Sequence, residues 1–195
     1  MTINVFKKGI RALGIAESFQ RDNPKSILAG VAMRGDLQID GISLTSITVG
    51  GVDATEGVLR IFNNLNRKDL NVILLNGCVI SWFNIIDLNY VHEELSMPIL
   101  CVTYEESEGL KDDIKRYFKD WDERLEVYNR LGQRSKVKLN TGYEVFLRFY
   151  GLDYDEVKVI LNRFTTHGKV CEPLRTAKIL ARAVLNSGLI TPIWS

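Results

Sequence analysis

The sequence predicts an α/β fold in which a mixed sheet is flanked by helices. Three observations carry this. Strand-like runs with short connections fill the first fifty residues. Two continuous apolar runs, Val72 to Leu75 and Ile99 to Tyr104, have the composition of strands covered on both faces. Helical periodicities alternate with those runs and then dominate from about residue 110.

The elements follow in order. Ile10 to Ala16 is a short apolar run, Ile27 to Arg34 a second, and Gln38 to Val49 a third that alternates as a half-buried strand does. Arg34-Gly35-Asp36 is a tight-turn sequence, so the three predict an antiparallel meander closed at Gly50-Gly51. Ala54 to Asn64 places Val58, Leu59 and Phe62 at helical spacing, and Asn84 to Leu95 does the same with Leu88, Val91 and Leu95. Helix, strand, helix, strand predicts parallel pairing through crossover helices. Leu110 to Leu131 reads as one long amphipathic helix. Its charged face carries Asp112/Arg116, Asp120/Arg124 and Glu126/Arg130 at ion-pair spacing. Lys136 to Leu139 fits a strand or a loop. Gly142 to Tyr150 is assigned to helix because Val145, Phe146 and Phe149 share a face. Asp153 with Glu156 three residues on is a capping box, and Pro173 opens a last helix stopped by Gly188. Three antiparallel strands followed by two α/β units make a five-stranded, ribonuclease H-like sheet. The expected organisation is a single domain over residues 1–195, helical from about residue 110.

Composition narrows the function classes. With 46% hydrophobic and 25% charged residues the chain has the makeup of a folded globular protein. No apolar run is long enough to span a bilayer and no signal peptide is visible, so a cytoplasmic location is expected. The three cysteines, Cys78, Cys101 and Cys171, lack metal-site spacing and sit among apolar residues, which predicts free, buried thiols. His92 and His167 form no zinc pattern. The formal charge of +1 does not by itself announce a nucleic-acid binder. Its distribution does more: from Val127 to Arg182 there are eleven Lys or Arg against five acids. Arg130, Arg134, Lys136 and Lys138, with Lys169, Arg175 and Lys178 later, are candidates to neutralise phosphates. Solvated helix faces account for the same residues without a ligand. Trp82 and Trp194 are aromatic residues for burial or an interface.

In open α/β sheets, ligands gather at the carboxyl ends of the parallel strands. After the first strand comes Glu17, a carboxylate for a divalent metal or a solvated turn acid. At the first crossover helix, Asp53 and Glu56 are metal ligands or acid/base groups on one reading. On the other they are a capping box in front of an apolar helical face. Asn76-Gly77 follows the fourth strand, and Asn84 caps a helix whose first turn holds Asp87. No nucleotide-binding loop and no nucleophile–base motif is present.

Several blocks together carry a resemblance. They are Arg11-Ala12-Leu13-Gly14-Ile15, Thr48-Val49-Gly50-Gly51-Val52-Asp53-Ala54-Thr55, Leu75-Asn76-Gly77 followed by Phe83-Asn84-Ile85-Ile86-Asp87, and Glu172-Pro173-Leu174-Arg175-x-Ala177. The chain resembles an archaeal uncharacterised protein family related to endonuclease V, the endonuclease dU family, as a divergent member. The resemblance implies the ribonuclease H-like fold and Mg²⁺- or Mn²⁺-dependent hydrolysis of phosphodiester bonds in DNA, or RNA, near a deaminated base such as deoxyuridine. It implies Glu17 and Asp53 as metal ligands, Asn76 as a neutral third ligand and Asp87 as a further catalytic acid. Arg130, Arg134, Lys136, Lys138 and Arg175 would contact the strand. Many relatives carry Asp where this chain has Ala16 and Asn76, and an amide supplies one oxygen to a hard cation but no charge. That departure motivates the alternative expectation, a catalytically degenerate member that binds nucleic acid or a protein partner.

Overall fold

The structure is a computed structural model that describes Val5, Lys7 and residues 9–188; Trp194 lies outside the described residues. Strands β1 (Arg11–Ser18), β2 (Lys25–Arg34) and β3 (Ile39–Thr48) pair antiparallel in chain order, the meander that the turn residues predict. Helix α1 (Ala54–Leu65) leads to β4 (Val72–Asn76), which lies parallel beside β1. A small hairpin, β5 (Val79–Ile80) and β6 (Asn84–Ile85), precedes α2 (Leu88–Leu95). Then β7 (Ile99–Thr103) lies parallel on β4.

The sheet is larger than the five strands predicted. Two more, β8 (Ser135–Lys138) and β9 (Glu144–Tyr150), complete a seven-stranded sheet of order β3-β2-β1-β4-β7-β9-β8. Residues 142–150 are therefore strand, not helix, and the chain beyond 110 is not purely helical. Val145 and Leu147 alternate into the core, and Gly142, with φ +89°, turns the β8–β9 hairpin. A shared helical face for Val145 and Phe149 was the weaker pattern; antiparallel pairing with β7 decides the conformation.

The long helix expected over 110–131 is two helices, α3 (Lys111–Tyr117) and α4 (Trp121–Arg130). The chain breaks at Phe118, whose backbone is extended and whose ring packs edge-on to Phe83 and beneath the Arg124 guanidinium. Of the predicted ion pairs, Asp120–Arg124 forms at 3.1 Å, while Arg130 instead reaches Asp87. Helix α5 (Tyr154–Phe164) starts at the predicted Asp153/Glu156 capping box, and α6 (Glu172–Asn186) carries Pro173 in its first turn.

Strand alternation divides the core between the two sheet faces. Ala12 and Ala16 of β1 face α5 and α6, with Leu161, Phe164, Leu174 and Ala177. Leu13 and Ile15 face α1, α2 and α3, with Val58, Ile61, Val91 and Ile114. All three cysteines are free and buried. Among the described residues, no helix is long and apolar enough to cross a membrane.

Candidate functional site

The parallel strands β1, β4 and β7 end on one edge of the sheet, and two clefts open there. The first, about 560 Å³, runs from Asn76 and Tyr104 along α6, past Arg175, Lys178 and Arg182. The second, about 820 Å³, lies on the other side of Asn76, between Cys78, Glu105, Arg134 and Arg148. A third hollow of about 300 Å³ joins Lys178 and Arg182 to Ser18, Phe19 and Gln20 at the end of β1.

Glu17 is the last residue but one of β1. Its side chain is 12% exposed and faces Lys178 of α6, whose Nζ donates to the Glu17 carbonyl oxygen at 2.6 Å and stands 3.5 Å from Oε1. Burial pushes the Glu17 carboxyl up, and Lys178 opposes that shift. Oε2 of Glu17 and the hydroxyl of Tyr104 are buried without a protein partner. The β1–β4 register pairs Ile15 with Leu75, so the next step sets Ala16 beside Asn76, a methyl group beside an amide.

Asp53 follows β3, which ends on the same edge of the meander as β1, and both oxygens of its carboxylate accept hydrogen bonds. The Thr48 amide donates to both oxygens at 3.0 and 3.1 Å, the Thr48 hydroxyl to Oδ2 at 3.0 Å, and the Asn84 amide to Oδ1 at 2.7 Å. The capping-box reading of Asp53 and Glu56 does not hold, because Asp53 makes no side-chain cap bond to its own helix. The cap comes from afar: Asn84, fully buried on β6, accepts from the Ala54 amide at 2.9 Å. Asn84 is thus not the cap of the following helix. That helix begins at Leu88, and Asp87 caps it by accepting from the Tyr90 amide. No local sequence signal assigns Asn84 to α1, since the two are thirty residues apart in the chain.

Burial would raise the Asp53 pKa, but the donors from Thr48 and Asn84 outweigh it and hold the carboxyl below its usual 3.8. A depressed carboxyl stabilises the fold above its unfolded pKa, and that stabilisation disappears as pH falls through the folded value. Asp53→Asn is therefore expected to destabilise at neutral pH by about 1–3 kcal/mol, because two donor groups then face each other. The gap to wild type should narrow below about pH 4 in urea titrations. A gap that is constant with pH would show that Asp53 is not anchored through its charge.

Asn76 thus lines the α6 cleft and Glu17 touches it only through Lys178, whereas the Asp53 carboxylate is tied to Thr48 and Asn84 and Asp87 caps α2. Among the described residues, no group of three or more His, Cys, Asp and Glu is placed to hold a metal ion. The predicted strand contacts are also spread out. Arg130 pairs with Asp87 at 2.9 Å and Lys136 with Glu144 at 2.8 Å. Arg134 donates to the carbonyls of Glu105 and Ser107 and lies over the Phe146 ring, so it braces the loop after β7. Lys138 is exposed at the end of β8, and Arg175 lines the α6 cleft.

One feature of this edge is invisible in the sequence. Ser81, Trp82 and Phe83 have consecutive positive φ angles of 43°, 61° and 62°. Such left-handed residues each cost on the order of 1–2 kcal/mol. The turn is held by Ser81 Oγ donating to Ser26 Oγ, by the Gly50 amide donating to the Ser81 carbonyl, and by Arg124 donating to the Phe83 carbonyl. Trp82 packs against Phe83 and Tyr117, and the Arg21 guanidinium sits 3.9 Å above its ring.

Comparison with known proteins matches this architecture. A family model described as Endonuclease dU matches residues 8–185. A UPF0215 protein of Pyrobaculum calidifontis is 35% identical over 88% of this chain and 95% of its own length. One of Thermococcus kodakarensis is 30% identical over 94% and 96%. Among solved structures, a protein of unknown function from Archaeoglobus fulgidus superposes with TM-score 0.78 at 22% identity, covering 90% of this chain and 98% of the other. Human ENDOV superposes with TM-score 0.65 at 13% identity, covering 95% and 88%. Ciona intestinalis endonuclease V, solved with an inosine-containing DNA, gives 0.64 at 13%, covering 92% and 87%. At these identities the structural matches establish a shared fold.

Proposed function

The chain belongs to the endonuclease dU family, and from that premise we propose that it is a nucleic-acid-binding member of this nuclease-related family that has lost the divalent-metal centre. The carrying observation is the α6 cleft, which Asn76 at the end of β4 lines together with three cations, Arg175, Lys178 and Arg182, of which Lys178 is paired with Glu17 of β1. Cations along a groove follow a phosphate backbone. The DNA bound by Ciona endonuclease V supports a strand as the ligand.

The donor set does not fit a magnesium ion. Mg²⁺ demands a compact octahedron of hard oxygens, with carboxylates to balance its charge. Here Asn76 is neutral, Ala16 offers no side-chain oxygen, Glu17 is held by Lys178, and the Asp53 oxygens accept from Thr48 and Asn84. One observation favours a second reading, a Mg²⁺- or Mn²⁺-dependent endonuclease cutting DNA near a deaminated base such as deoxyuridine. Glu17 Oε2 is a buried acceptor with no protein donor.

Fluorescent single-stranded oligonucleotides carrying deoxyuridine, hypoxanthine or no lesion, as DNA and as RNA, separate the readings. Binding that weakens steeply with salt, with strands intact in EDTA, Mg²⁺ or Mn²⁺, is expected. Cleavage that needs the metal and disappears in Glu17→Gln would establish the hydrolase reading. Absence of binding at about 50 mM salt would overturn strand recognition itself.

A further inference from the structure

The α6 cleft carries its own cation. Lys178 Nζ sits on the Glu17 carbonyl oxygen at 2.6 Å and 3.5 Å from Glu17 Oε1, and it shares the cleft with Asn76. The Glu17 carboxylate is thereby matched by one ammonium. Arg175 and Arg182 stand three residues before and four after Lys178, on the same helical face. Lys178 and Arg182 also line the hollow beside Ser18, Phe19 and Gln20, so the stripe continues from the end of β4 past the end of β1. Three cations line the cleft, and the acids that pair with two of them, Glu17 and Glu172, are not in its lining, so it repels a divalent metal and attracts a phosphate anion.

We propose that the Lys178 ammonium, seated on Glu17, is the resident cation of this cleft, and that with Arg175 and Arg182 it takes a phosphodiester group of a bound strand without a divalent ion. This rests on the strand-binding reading above and gives it a location. Lys178 is about one-third exposed, which leaves its ammonium open to a ligand while Glu17 fixes its position. Arg175 is oriented in turn by Glu172, 3.4 Å from its Nε.

The test combines strand binding with metal binding on the full chain. Lys178→Met and Arg182→Gln are each expected to weaken strand affinity about tenfold and to lower the salt slope by about one phosphate contact. Lys178→Arg should retain most of the affinity. Lys158→Met, on α5 and outside both clefts, should match wild type. Circular dichroism melting of each variant separates misfolding from lost binding. Arg182 is exposed, so its variant keeps the question answerable if Lys178→Met does not fold. In parallel, free Mn²⁺ followed by electron paramagnetic resonance is expected to stay undiminished when wild type is added. A wild type that binds strands while both variants bind equally well, with an unchanged salt slope, overturns this inference alone. A wild type that binds no strand overturns it together with the reading it rests on. Stoichiometric Mn²⁺ uptake lost in Glu17→Gln also overturns it, because the cation place would then belong to a metal.

Discussion

Arg124→Met is expected to destabilise the protein by about 3–5 kcal/mol, the range for removing one partner from a buried charge network. Among the described residues Arg124 is the one charged residue that is buried, at 7% exposure. Its guanidinium donates to the carbonyls of Gly50 at 2.8 Å, Gly51 at 2.9 Å and Phe83 at 3.2 Å. Nε donates to Asp120, and the plane lies 4.0 Å from the Phe118 ring centroid. Methionine keeps the apolar stem but supplies none of these donors, so the carbonyls lose a charged partner. The two segments they belong to, 50–51 and 81–83, would separate. The second holds three left-handed residues that surrounding contacts must keep in place. Thermal melting should fall by on the order of 10 °C. Lysine should not rescue, because a single ammonium lacks the planar fork that reaches three carbonyls at once. Asp120→Asn is the control: that carboxylate is 43% exposed, and its loss should cost about 1 kcal/mol or less. If Arg124→Met and Asp120→Asn melt alike, the carbonyl bonds are not what holds this loop.

Gly14→Ala is expected to cost about 3 kcal/mol, the upper end of the usual overpacking range. A Cβ at Gly14 would lie 2.5 Å from the carbonyl carbon and Cβ of Pro173 and 2.7 Å from its oxygen. Backbone cannot step aside as a flexible side-chain tip does, so α6 must shift away from β1. That shift would move Lys178 off Glu17 and open the cleft. Strand affinity should therefore fall along with stability, although Gly14 lies away from any cation. Gly132→Ala makes the comparison: its left-handed φ of 67° carries a backbone cost, but nothing stands within 4 Å of the new atom. It should cost about 1 kcal/mol and leave binding intact. Equal binding by Gly14→Ala and wild type would show that the cleft does not depend on the seating of α6.

The antiparallel meander, the two parallel strands and the last two helices were legible because each has a strong local pattern. Arg34-Gly35-Asp36 turns the chain, Val72 to Leu75 admits only burial on both faces, and Asp153 with Glu156 forms its box within four residues. Over residues 142–150 the local pattern does not separate strand from helix, because Val145, Phe146, Leu147 and Phe149 satisfy both periods over so short a run. The open edge of β7 settles that choice. The long helix over 110–131 broke because Phe118 gains a place under Arg124 and against Phe83, contacts that periodicity does not contain.

By itself, the sequence determined the fold class, the free buried cysteines and the family, since these rest on residue type and on neighbours within one helical turn or one strand. Tertiary structure alone decided what each acid does. Asp53 was a cap by its spacing, yet Asn84, thirty residues on, takes that role and binds Asp53 as well. Glu17 was a rim carboxylate until α6 brought Lys178 to it from 161 residues away. A carboxylate's chemistry is set by the donors and charges within a few ångströms of it, and in this chain those come from segments that only the closed sheet brings together.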